Sequence, residues 1–149
     1  MLNDYYDIAI NNLKYLEVTL GTEFYNDISI GAQQVAEKLL KSVLEQLFPT
    51  TDSYVNTLMH SHNLRAIYTK ICEVDSTLNL DRRDLSMLKD YYFDAKYPGD
   101  YFVTVSRSEC EENLEIMYNV IEEVNKFREN NNLSVTKVKR KQLKSMDCF

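Results

Sequence analysis

Between residues 32 and 48 the chain carries its clearest pattern. Ala32, Val35, Ala36, Leu39, Leu40, Val43, Leu44 and Leu47 recur at i, i+3, i+4 and i+7, with polar residues between them. This spacing stacks the apolar side chains along one side of an α-helix. It predicts one unbroken amphipathic helix on which the remaining elements pack. Glu37 with Lys41, and Lys41 with Glu45, stand four apart on the outer face, pairs worth roughly 0.2–0.5 kcal/mol each. Ala32 and Ala36 let a neighbouring helix approach closely at its start.

The same periodicity places the other elements. Residues 3–20 predict a first helix, with Asn3 as N-cap, an apolar stripe of Tyr5, Ile8, Ala9, Leu13, Leu16 and Leu20, and Gly21 at its end. Phe24, Tyr25, Ile28 and Ile30 lead into the second helix, where Gly31 could interrupt the join. That helix stops near Phe48, because Pro49 disfavours helical geometry in the residue before it. Residues 49–63 read as a polar connector. A third helix starts at Leu64, with Leu64, Ile67, Tyr68 and Ile71 inward. After a turn at 75–81, Asp81 caps a fourth carrying Leu85, Leu88 and Tyr92. Residues 94–105 break the pattern as a long loop containing the chain's one Pro-Gly pair. Ser106 with Glu109 then forms a capping box for a last helix through Val124, ended by the asparagines at 130–132. The expectation is an all-α, antiparallel up-and-down bundle of about five helices over 1–132, followed by a flexible basic tail over 133–149.

Composition sharpens this picture. Three Gly and two Pro in 149 residues favour long helices over many short strands. The net charge of −6 argues against sequence-blind nucleic-acid binding by the whole surface. Five basic residues against Asp147 alone give the tail +4 and leave −10 to the body. The three cysteines are widely spaced, with no CxxC, which suits a reducing, cytoplasmic setting. No apolar run reaches the 18 or so residues of a membrane span, so no membrane partner is expected.

Chemistry-bearing residues are few. His60 and His62 are the only histidines. They lack the further ligands a metal site needs, so one of them is expected to bond a helix end or a neighbouring loop, and neither metal nor cofactor is expected. The loop offers Asp94, Lys96 and Asp100 beside Tyr97 and Tyr101. Lys96 could pair with a phosphate and Tyr97 could stack on a base; alternatively Tyr97 and Pro98 pin the loop while its charges are solvated. Lys38 and Lys41 are supports for such a phosphate, against a reading of Glu37, Lys38 and Lys41 as a solvated helix face. Cys110 reads as a small core residue. No glycine-rich phosphate loop and no GxSxG occurs.

AEKLLK at 36–41, HSHNL at 60–64, and YYFDAKYPGD at 91–100 followed by a capped acidic helix resemble the HEPN family, the nucleotide-binding domain of higher eukaryotes and prokaryotes. The likeness spans about residues 5–128. It implies a five-helix bundle that often dimerises and works beside a small nucleotidyltransferase, as partner or as the toxin of a toxin–antitoxin type pair. Many members resemble metal-independent ribonucleases with an arginine followed four to six residues later by a histidine. Here both histidines precede the first arginine, Arg65. Lys96 stands where a family arginine often stands, and Tyr101 where the histidine would be. A phenol with an ordinary pKa near ~10 is a poor general base at neutral pH. The resemblance therefore implies a non-catalytic module that binds a nucleotide or RNA phosphate through Lys38, Lys41, His60, His62, Asp94, Lys96, Tyr97 and Tyr101. A ribonuclease with a rearranged site and a structural interaction module are the alternatives.

Overall fold

The structure is a computed structural model that describes residues 4–49, 52–88 and 104–145. Among these residues there are helices and no strand. Asp4 caps the first helix, α1 (Tyr5–Val18), by accepting from the Asp7 backbone amide; Asn3, the expected cap, lies outside the described residues. A 3-10 turn, Thr19–Gly21, closes α1 and leads to α2 (Tyr25–Leu47). Gly31 does not interrupt α2. A Cβ there would stand 2.8 Å from Leu16 Cδ1, so glycine allows α1 and α2 to touch at this level.

The connector expected at 49–63 contains a helix of its own, α3 (Ser53–Met59), started by the Asp52 side chain on the Val55 amide. Asn63 caps α4 (Leu64–Cys72) in the same way through Ala66. Residues 82–88 form α5, and the Ser106–Glu109 capping box opens α6 (Arg107–Asn130) as the sequence predicts. The described residues hold six helices where about five were expected, and the last runs in the same sense as α2. At one end the Asn26 side chain accepts from the Val105 amide at 2.7 Å, and Asn113 bonds Ser29 at 3.1 Å. At the other, Glu45 feels the charge of Arg128. α1 runs opposite to both: Leu16 meets Gly31, and Tyr6 donates to Asn125 at 2.7 Å.

α2 is the hub, packed against α1, α4 and α6. Ala32, Val35, Ala36, Leu39, Leu40, Val43 and Leu44 are each 0 % exposed, which places the predicted stripe at the centre of the core. Cys110 is also buried there, and burial pushes its thiol up to about 11, so it is an inert core group.

The segment after α6 departs from the expectation of a flexible tail. Asn131 and Asn132 turn the chain, with Asn132 at φ 58, a conformation asparagine tolerates better than most residues. Residues 133–145 then run back over α6 and α1. The Thr136 amide donates to Tyr6 Oη at 2.9 Å, Arg128 Nε to Ser134 O at 2.7 Å, and the Lys144 amide to Leu20 O at 3.1 Å. Leu143, within this segment, is buried.

Candidate functional site

α2 is buried over most of its surface, with Asp27 and Gln46 exposed and Gln34, Lys38 and Glu45 half-buried, so polar residues on its buried faces call for partners within the protein. Ser29, Gln33, Glu37 and Lys41 follow one another at intervals of four and form one polar line along the helix, each no more than 3 % exposed. This corrects the reading of Glu37 and Lys41 as a solvated face. Both are enclosed because α4 and its leading residues pack over this side of α2.

Glu37 is the focus of the line. Its Oε1 accepts from Gln33 Nε2 at 3.0 Å and from His62 Nδ1 at 2.7 Å; its Oε2 accepts from Lys41 Nζ at 3.1 Å and Lys38 Nζ at 3.3 Å. Four donors match the roughly four lone-pair positions of a carboxylate. Burial alone would raise the Glu37 pKa, but the hydrogen bonds from Gln33 and His62 and the charge of Lys41 outweigh it and hold the pKa below its ordinary value. Burial also acts on Lys41, and there it wins: the ammonium pKa is lowered despite the attraction of Glu37.

Exposure separates the three cationic or basic groups. The Lys41 side chain is 4 % exposed and committed to Glu37, whereas Lys38 is 27 % and His62 40 % exposed. The Lys38 ammonium also stands 5.8 Å from the centre of the Tyr5 ring. An ionised Glu37 can only accept, so His62 Nδ1 carries the hydrogen of that bond and Nε2 is the basic nitrogen of the neutral ring. Lys38 and His62 thus form the outer edge of the cluster, anchored from within by one carboxylate.

His60 does not join them. Its Nδ1 pairs with Asn56 O at 2.8 Å, so it satisfies a carbonyl at the end of α3. Asp94, Lys96, Tyr97 and Tyr101 lie outside the described residues. Gln33 and Glu37 are the residues that the sequence reading did not place in a site. The available signal was the four-residue polar repeat from Ser29 to Lys41 inside an otherwise apolar helix.

Among the described residues no group of three or more His, Cys, Asp or Glu side chains could hold a metal ion. No described helix is long and apolar enough to cross a membrane. The family model described as the HEPN domain matches residues 2–127. No curated protein and no solved structure matches the chain.

Proposed function

Because the chain belongs to the HEPN domain family, we propose that it is a nucleotide- or RNA-phosphate-binding module whose receiving edge is Lys38 and His62. The convergence of two lysines and an imidazole on the buried Glu37 carboxylate carries this reading. Two ammonium groups against one carboxylate leave the cluster with one positive charge even with a neutral imidazole. Lys41 neutralises Glu37, which would otherwise repel a phosphate. Lys38 and His62, already oriented, lose little side-chain freedom when an anion arrives.

The sequence supports a binding role over the family's ribonuclease mechanism, in that no arginine is followed by a histidine. A small nucleotidyltransferase, or a second copy of the chain, is the partner this reading implies, in a toxin–antitoxin type pair. Titration calorimetry against nucleoside mono- and triphosphates is expected to give saturable heat with at least one of them. Lys38→Ala and His62→Ala are each expected to weaken it about tenfold, the effect of losing a charge-assisted hydrogen bond of about 1.5 kcal/mol. No heat across the panel, or heat indifferent to both substitutions, overturns the reading.

One contact favours a second reading. A carboxylate holding the proton-bearing Nδ1 of a histidine is the arrangement that orients a general base. A ribonuclease of this kind would use His62 as base and Lys38 to stabilise the developing phosphorane charge. Purified protein would then cleave RNA, His62→Ala would abolish cleavage, and His60→Ala would leave it unchanged. Absence of cleavage removes this alternative.

A further inference from the structure

Residues 133–145 lie beyond the stretch matched by the family model, and where they return over α6 they border an open cavity of about 500 Å³. That volume suits a small organic molecule. Leu114, Leu143 and Tyr118 supply its apolar wall, and Arg107, Arg140 and Lys141 bring positive charge.

Tyr118 is the informative residue. It is 3 % exposed, and its hydroxyl has no hydrogen-bond partner among the described residues. The Lys141 backbone amide stands near it without reaching hydrogen-bond geometry. Burial raises the phenol pKa, so the group remains an O–H donor. A buried donor with nothing to bond is costly, and its occurrence in a native fold calls for a specific explanation.

The cations differ in what they have left to offer. Arg107 is spent on Glu111 and on the Lys144 carbonyl, and Lys141 on Glu17. Arg140 uses Nε on Glu122 and Nη2 on Asn119, while its Nη1 has no partner among the described residues. The Arg140 guanidinium lies 5.9 Å from the centre of the Tyr118 ring. The guanidinium with an unused Nη1 and the phenol with an unpaired hydroxyl are thus neighbouring side chains of the same cavity wall. Of the two acids on the wall, Glu111 is neutralised by Arg107 and Glu115 is exposed to water.

We propose that this cavity is a second ligand site, for a small organic anion whose carboxylate or phosphate head is held by Arg140 and the Tyr118 hydroxyl, with its apolar body on Leu114 and Leu143. Arg140 and Leu143 both belong to the returning segment, so the site exists only while that segment is docked. By linkage, an anion bound there stabilises the docked arrangement.

The test is an NMR titration of the full chain with benzoate and with phenyl phosphate, following the Leu114 and Leu143 methyl resonances. Benzyl alcohol serves as the uncharged control of similar shape. At least one anion is expected to give a saturable shift, weakened tenfold or more by Tyr118→Phe and by Arg140→Ala and unchanged by Lys38→Ala. The more tightly bound anion identifies the head group. Tyr118→Phe deletes only the unpaired hydroxyl, so its Tm is expected at or above that of the parent, which keeps lost binding distinct from lost fold. No saturable shift with either anion, equal affinity in both variants, or benzyl alcohol binding as tightly as the anions overturns the proposal. Because the site shares no residue with the Glu37 cluster, its failure and a failure of the nucleotide reading are read from different variants.

Discussion

Glu37→Ala is expected to lower the unfolding free energy by about 3–5 kcal/mol, the range found when one partner of a buried ion pair is removed. The substitution leaves Lys41, itself 3 % exposed, as a buried cation without its carboxylate. It also strips Gln33 Nε2 and His62 Nδ1 of their acceptor. The Lys41 pKa, already lowered by burial, loses the attraction that opposes burial and falls further. Changing Glu37 to Leu and Lys41 to Met together is expected to recover most of the loss, because a packed apolar pair avoids desolvating two charges. Urea unfolding of the single and double variants measures both effects. A single variant within about 1 kcal/mol of the parent, the worth of an exposed pair, would show that the cluster does not organise the bundle.

The same cluster sets a pH dependence. With its folded pKa lowered, Glu37 binds fewer protons in the folded chain than in the unfolded one. Its contribution is fully present above the ordinary carboxylate value of 4.5 and is lost as pH falls through the lower folded value. Lys41 has the opposite balance at the alkaline end. Its lowered folded pKa makes the charged ammonium a destabilising presence at neutral pH, relieved as pH rises towards its ordinary value of 10.5. Acid unfolding of Glu37→Gln should therefore lose the part of the slope that lies below pH 4.5.

Why the sequence disclosed some of this and concealed the rest follows from how each feature is encoded. α2 and α6 are written locally, in apolar periodicity and in the Ser106–Glu109 box, and both emerge as expected. α3 spans only seven residues, with Val55 and Leu58 as its buried apolar positions. Two such positions cannot establish a period, although the Asp52 cap was a usable signal. The Glu37–Lys41 pair was visible as a spacing, but spacing does not distinguish a solvated pair from an enclosed one. Enclosure depends on α4 and on His62, 25 positions away. His60 and His62 look equivalent in sequence, yet the end of α3 turns one to a backbone carbonyl and the other to Glu37.

Ending the chain at Asn132 is expected to cost at least as much stability as Leu143→Ala, which should cost about 2–3 kcal/mol. That figure is the lower part of the large-to-small range, since a site under a single chain segment can partly collapse. The basic residues that dominate this stretch are not what holds it. Arg140 with Glu122 is an exposed pair, worth about 0–1 kcal/mol after solvent screening, and Lys141 reaches the half-buried Glu17 from an exposed position, so solvent screens that pair too. The attachment lies in Leu143, 6 % exposed, and in backbone groups that find fixed partners: the Thr136 amide on Tyr6, the Ser134 carbonyl on Arg128, and the Lys144 amide on Leu20. A charge-based attachment would weaken with added salt, whereas an apolar anchor gains from a salting-out salt such as sulfate. Thermal unfolding of the parent, Leu143→Ala and the truncated chain, at low salt and in sodium sulfate, separates the two. Equal stability of all three would return residues 133–145 to the flexible tail their composition suggests, and with it would go the wall of the second cavity.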